Sequence, residues 1–260
     1  MTRHAVNFVP KTYMRRKGKF CYRTDIGQVR LTNEDQALIL ANPQGDILMV
    51  VCDGMGGHNK GDLAAKMTLD IVAKAFRGKP GFINITTAKW WLYKTIKEAN
   101  RQIYELAESD PANKEMGTTI VAALVKGNQV AIANIGDSRA YIVTNDGLKQ
   151  LTEDQTYVDF LYRAGKITKE EEKNHPQKHV LLNALGITPS VSLDIDIYTY
   201  ENTPIMLCSD GLYNNVSDKE IFTVLKTSDS VNQKCDTLID IANSNGGTDN
   251  IAVALWEAEK

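Results

Sequence analysis

Apolar residues fall along this chain in short, dense runs and in two long stretches of helical spacing. The run Ile47 to Cys52 is apolar at every position, rich in β-branched residues and too short for a membrane helix, which predicts a strand buried on both faces. Gln36 to Leu40, Pro204 to Cys208 and Ile251 to Trp256 predict further core strands. From Asp62 to Phe76, Ala64, Met67, Ile71, Val72 and Ala75 predict one helix. From about Thr87 to Glu108, Ala88, Leu92, Ile96, Ala99, Ile103 and Leu106 predict a second, with Thr86 or Thr87 as its N-cap and Trp90 and Trp91 as packing residues.

Between Met116 and Leu151 the period shortens. Runs at Thr118–Val125, Val130–Asn134, Ala140–Val143 and Leu148–Leu151 alternate with Gly127-Asn128, Gly136-Asp137 and Asn145-Asp146-Gly147, which predicts an antiparallel meander. Glu153 to Gly165 reads as helix, and Lys169 to Lys173 as a charged helical turn stopped by His175-Pro176. Val191 to Ile197 alternates, so Asp194 and Asp196 belong on a solvent face. Ser217 with Glu220 forms a capping box, and Val231 to Ala242 is a last helix. Met1 to Lys19 reads as an irregular, basic arm, with docking to an acidic partner as the alternative to a bare tail.

Composition narrows the class. At 260 residues, 43% hydrophobic and 24% charged, the chain fits one soluble domain of α/β or α+β type. A formal net charge of -2 gives no reason to expect nucleic acid or membrane as partner. Cys21, Cys52, Cys208 and Cys235 form no CxxC pair, and two of them sit in apolar runs, which favours a reducing, cytoplasmic setting. No segment has the length of a membrane span or the apolar core of a signal peptide.

The candidate chemistry lies where strands end. Asp53 closes the first core run and is followed by Gly54, Gly56 and Gly57. Asp210 precedes Gly211, Asp249 follows Gly246 and Gly247, and Glu34-Asp35 stands before another strand. Each alone fits either a plain Asp-Gly turn or a hard-metal site. Asp35, Asp53, Asp210 and Asp249, four carboxylates gathered at one sheet edge, would raise one another's pKa values unless a cation sat among them. An all-oxygen set selects Mg²⁺ or Mn²⁺ over zinc. Arg30 lies close enough in sequence to offer a phosphate a two-pronged donor near Asp35.

The motifs TDIGQVRLTNED, VVCDGMGGH, MGTT, GDSRAY, LTEDQT, NHPQKHVLLNALG, LCSDGLYN and GGTDN then follow in order from Thr24 to Leu255. In that order they resemble the metal-dependent serine/threonine protein phosphatases of type 2C, the compact bacterial members most of all. The resemblance implies an α+β fold, a four-layer α-β-β-α sandwich of two antiparallel sheets flanked by helices, over residues 21–260, after an arm over 1–20. It implies two Mn²⁺ or Mg²⁺ ions held by Asp53, the Gly54 carbonyl, Asp210 and Asp249. Glu34 and Asp35 would hold their waters, and Asp137 would serve a third, weaker ion. Arg30 would grip the phosphate, and a flap from about 155 to 179 would cover the site.

The same resemblance implies phosphoproteins as substrates, a bacterial serine/threonine kinase as antagonist partner, and a monomer. The sequence departs from the pattern at Met55, where a histidine stands in eukaryotic members, at Gln155, where a histidine is common, and at Asn214, often an aspartate. His58 is the nearest imidazole to the core motif, either in the site or merely exposed. His175 and His179 read as flap structure rather than ligands. A catalytically dead phosphoprotein-binding relative is the first rival reading. A two-metal hydrolase of small phosphoesters is the second, and neither a P-loop nor a G-x-G-x-x-G motif supports it.

Overall fold

The computed structural model describes residues 18–56, 60–200 and 203–259. The chain runs β1 (Gly18–Asp25), β2 (Asp35–Ala41), β3 (Ile47–Met55), α1 (Lys60–Arg77) and α2 (Ile85–Ser109), then a 3₁₀ turn at Pro111–Asn113. Five strands follow: β4 (Gly117–Thr118), β5 (Ile120–Lys126), β6 (Gln129–Ile135), β7 (Arg139–Val143) and β8 (Leu148–Gln150). After α3 (Tyr157–Arg163) and α4 (Lys169–Asn174) come β9 (Ile195–Thr199), β10 (Ile205–Cys208), α5 (Asp210–Tyr213), α6 (Asp218–Lys226), α7 (Val231–Ser244) and β11 (Ile251–Ala258).

Two antiparallel sheets form. One has the order β1-β11-β10-β7-β8, and the other β2-β3-β5-β6-β9 with β4 paired to β3. Side-chain alternation explains the stacking. On β3, Leu48, Val50 and Cys52 face α1 and α2, while Ile47, Met49 and Val51 face the other sheet. On β11, Val253 and Leu255 pack on α6 and α7, while Ala254 and Trp256 enter the space between the sheets. A strand apolar at every position is what a layer covered on both sides requires, so three cores separate four layers. Among the described residues no helix is long and apolar enough to cross a membrane.

Several elements differ from expectation for tertiary reasons. Gly18–Phe20, assigned to the arm, already belong to β1, because that strand pairs with β11 from Gly18 opposite Ala258 onward. Its alternation is disguised by Arg23, which is buried through an ion pair with Asp236 at 2.9 Å. The rest of the arm lies outside the described residues. The N-cap of α2 is Asn84, with Thr87 as the third helical residue completing a capping box. Trp91 packs on Phe76 and Phe82 as expected, but Trp90 is 59% exposed, edge-on to Tyr93 and beneath Lys94.

The meander is not one sheet: β6 and β7 belong to different sheets, and the chain crosses at Gly136–Ser138. Gly136 has φ +99, and a Cβ there would lie 2.6 Å from the Thr119 Cγ2, so the turn needs glycine. The Glu153–Gly165 helix shrinks to α3, because the Thr156 hydroxyl caps it by accepting from the Asp159 N–H. Val191 and Leu193 are buried and Asp194 and Asp196 exposed as expected, but the paired strand starts only at Ile195. The flap leaves after β8 and closes on itself through an isolated bridge between Thr156 and Leu181.

Candidate metal centre

β2 and β3 pair so that Asp35 lies directly opposite Asp53, while Gly54 lies opposite Thr118 of β4. Asp53 therefore sits inside a strand that runs on to Met55, not at its end. Asp210 opens α5 one residue after β10, and Asp249 precedes the neighbouring β11, so both reach the same edge from the opposite sheet. Asp137 joins them from the crossover between β6 and β7. Together with Arg30, Glu34 and Gly54 they line a cavity of 530 Å³. Of the residues expected there, Asp35 stands apart: it is 1% exposed and lies behind the cavity wall, under Asp53.

Backbone and hydroxyl groups fix these positions. The Asp53 N–H donates to Thr119 Oγ1 at 3.0 Å, and its carbonyl accepts from the Thr118 hydroxyl at 2.9 Å and the Thr119 N–H at 2.8 Å. The Thr119 hydroxyl also meets that of Ser138 at 2.8 Å. Ser209 donates to Asp35 Oδ2 at 2.6 Å and accepts from the Ala252 N–H at 2.8 Å, tying the two sheets together behind the site. Asn250 holds the Arg30 loop: its amide donates to the carbonyls of Ile26 and Thr32, and its oxygen accepts from the Glu34 N–H. A Cβ on Gly54 would meet the Gly61 backbone at 2.3 Å, so only glycine lets α1 start this close to the carboxylates.

Arg30 points into the cavity but bonds Asp249 Oδ2 at 2.7 Å rather than Asp35. Half of its side chain stays exposed, which leaves the other edge of the guanidinium free for an incoming anion. His179, read as flap structure, lines the cavity with Nδ1 3.8 Å from Asp210 Oδ2, whereas His175 caps α4 and accepts from the Gln177 N–H. His58 lies outside the described residues. Asn214 donates to Asp210 Oδ2 at 3.2 Å.

The electrostatics show what the site lacks. Burial, followed by neighbouring carboxylates, raises Asp53 well above the ordinary range. Burial does the same to Asp35, with the Ser209 bond opposing and Asp210 and Asp249 adding to it. Burial raises Asp137 to about 7, and Asp210 adds to that; Glu34 and Asp249 are raised by burial as well. Asp35 Oδ1 is buried with no hydrogen-bond partner. Among the described residues no three such side chains already close around a single point. Asp35, Asp210 and Asp249 are instead turned toward the protein donors Ser209, Asn214 and Arg30. An orphaned buried oxygen and a ring of disfavoured charges, all oxygen donors, fit Mn²⁺ or Mg²⁺ and no softer ion.

Thr118, Thr119, Ser209 and Asn250 were legible only as motif letters in MGTT, LCSDG and GGTDN, with no sign that they hold the acids in place. His179 gave no signal beyond its place in the flap.

The protein phosphatase 2C family model matches residues 27–255. A serine/threonine phosphatase stp of Listeria welshimeri is 43% identical over 237 residues, covering 91% of this chain and 94% of its own. The protein phosphatase PhpP of Streptococcus pneumoniae is 33% identical over 233 residues, covering 89% and 94%. The serine/threonine phosphatase of S. agalactiae superposes with a TM-score of 0.89 at 36% identity, over 94% of this chain and 100% of that one. The catalytic domain of the serine/threonine protein phosphatase PstP, in complex with two manganese ions, superposes at 0.81 with 31% identity, over 94% and 99%. With the whole sandwich and its carboxylate edge accounted for, the chain belongs to the protein phosphatase 2C family and is a serine/threonine phosphatase.

Proposed function

We propose that this phosphatase removes phosphate from phosphoserine and phosphothreonine in proteins by direct attack of water, using two Mn²⁺ or Mg²⁺ ions. Asp53, the Gly54 carbonyl, Asp210 and Asp249 would hold them. Glu34 and Asp35 would anchor their waters, and Asp137 would serve a third ion. Such ions, when bound, lower the pKa of water and draw charge from phosphoryl oxygens.

The chain supplies the rest. Arg30 presents its free edge to the phosphoryl group and is oriented by Asp249. Thr118 and Thr119 hold Asp53 at a fixed height in the cavity. A covalent phosphocysteine route is disfavoured, because Cys52 and Cys208 are fully buried and burial pushes both thiols up. The single observation that carries the reading is the convergence of Asp53, Asp137, Asp210 and Asp249 with Arg30 on one cavity.

The substrates we infer are targets of a bacterial serine/threonine kinase, and the kinase itself, acted on by a monomer in the cytoplasm. The bacterial relatives named above and four free cysteines support that setting. The deciding measurement is phosphate release from a phosphothreonine peptide with Mn²⁺, repeated after chelation and with Asp53→Asn and Asp210→Asn. Metal-dependent turnover lost in both folded variants is expected. Full turnover in chelator, or in either variant, overturns the proposal.

A further inference from the structure

The flap has a neck, and one carboxamide holds it. Gln155 stands where the flap leaves the sheet and Asn183 where it returns. The Gln155 Oε1 accepts from the Asn183 amide at 2.8 Å and from the Gly136 N–H at 3.1 Å. Its Nε2 donates to the Asn134 carbonyl at 3.4 Å. The Gln155 backbone adds two bonds, its N–H to the Gly136 carbonyl at 3.1 Å and its carbonyl from the Leu182 N–H at 2.8 Å. Both flap ends and the crossover turn thus meet on a single residue.

That turn is the one that places Asp137. Two residues past Gly136, the Ser138 hydroxyl bonds Thr119, and Thr119 accepts from the Asp53 N–H. Hydrogen bonds and the short backbone stretch Gly136–Ser138 therefore link the flap neck to the main chains of two of the cavity's acids, Asp137 and Asp53. A glutamine suits the junction for a definite reason. Its oxygen accepts twice while its nitrogen donates, whereas a neutral imidazole offers one acceptor and one donor and would leave a contact unmade.

We propose that Gln155 is a positioning residue that couples the flap to Asp137 and, through Ser138 and Thr119, to Asp53, so that a phosphoprotein engaging the flap also sets the carboxylates. The coupling rests on the phosphatase reading above for its purpose, but its geometry can be tested without turnover. The test uses the full chain and the variant Gln155→Met, which keeps the shape and removes the hydrogen bonding.

Amide hydrogen exchange is expected to speed up roughly tenfold both in residues 156–181 and at 136–138, from the loss of the three side-chain hydrogen bonds at the neck. KM for a phosphothreonine peptide is expected to rise roughly tenfold, against at most about threefold for p-nitrophenyl phosphate, too small to engage the flap. Gln155→Glu keeps the two accepted bonds but loses the longer donation to the Asn134 carbonyl, so it should recover most, not all, of the slow exchange at both places. Asn183→Ala attacks the neck from its other end and should reproduce the pattern, which also covers a Gln155→Met chain that does not fold. Faster exchange confined to the flap, unchanged exchange, or equal KM changes for both substrates overturns the coupling. Absent turnover by the wild-type chain with Mn²⁺ would instead sink the phosphatase reading, while exchange still decides the coupling.

Discussion

The hydroxyl of Thr119 is the most consequential small group in the site, and Thr119→Val isolates it. The residue is 1% exposed, and valine fills the same space with a methyl in place of the oxygen. The substitution leaves the Asp53 N–H without its acceptor at 3.0 Å and the buried Ser138 hydroxyl without its partner at 2.8 Å. A buried polar group left unpaired costs about 1–3 kcal/mol. Two such groups, less about 1 kcal/mol recovered from the added methyl, put the loss at roughly 1–5 kcal/mol. Against a total stability of about 5–15 kcal/mol the chain still folds.

Urea denaturation in chelator, so that bound metal does not shift the equilibrium, should show the midpoint falling by roughly 0.5–2 M. Calorimetry should then show Mn²⁺ binding at least about tenfold weaker, because the Asp53 backbone is no longer held. Ser138→Ala removes only one of the two bonds. The double variant should therefore be less destabilised than the sum of the singles, by about 0.5–2 kcal/mol. A Thr119→Val chain within about 0.5 kcal/mol of wild type that binds Mn²⁺ normally would refute the idea that this hydroxyl seats Asp53.

Three further outcomes follow from the same geometry. Gly136→Ala forces a Cβ to 2.6 Å from Thr119 at φ +99, and should cost about 2–4 kcal/mol in the same urea assay. Gly127→Ala, at φ +59 with nothing within 4 Å, should cost only about 1 kcal/mol, and equal losses at the two sites would remove the steric argument. Arg30→Ala should leave the urea midpoint nearly unchanged, since its ion pair is half exposed, yet raise KM for the phosphothreonine peptide roughly tenfold. Trp91→Ala should cost about 2–4 kcal/mol through lost packing on Phe76 and Phe82, while Trp90→Ala should be nearly silent in thermal melts.

The strands were legible wherever burial is two-sided, because a segment covered on both faces must be apolar at every position. That held for Ile47 to Cys52 and for Ile251 to Trp256. It failed for β1, whose buried Arg23 is explained only by Asp236, more than 200 residues away. The crossover at Gly136 was equally hidden. A glycine-aspartate pair between two β-runs reads as a hairpin, and only the packing of two sheets decides that the chain changes sheet there. Local chemistry fixes a turn's shape, whereas its destination is a tertiary fact.

The candidate site shows the same division. The acids themselves were legible as a set, since a carboxylate near glycine and next to an apolar run recurs at Asp53, Asp210 and Asp249, although each alone fits a plain Asp-Gly turn. What holds them was not, because a threonine or serine hydroxyl accepting a backbone N–H leaves no periodicity and no charge pattern behind. Thr119, Ser138, Ser209 and Asn250 each join segments distant in sequence, and each spares a carboxylate or its backbone from being fixed by the cavity's own side chains. That arrangement has a physical consequence. Asp53 and Asp137 are fixed through their backbones, and burial holds their carboxyls at raised pKa, which a cation would relieve. The frame of small hydroxyls and amides, rather than the acids alone, is therefore what suits this strand edge to a cation instead of leaving a cluster of mutually repelling aspartates.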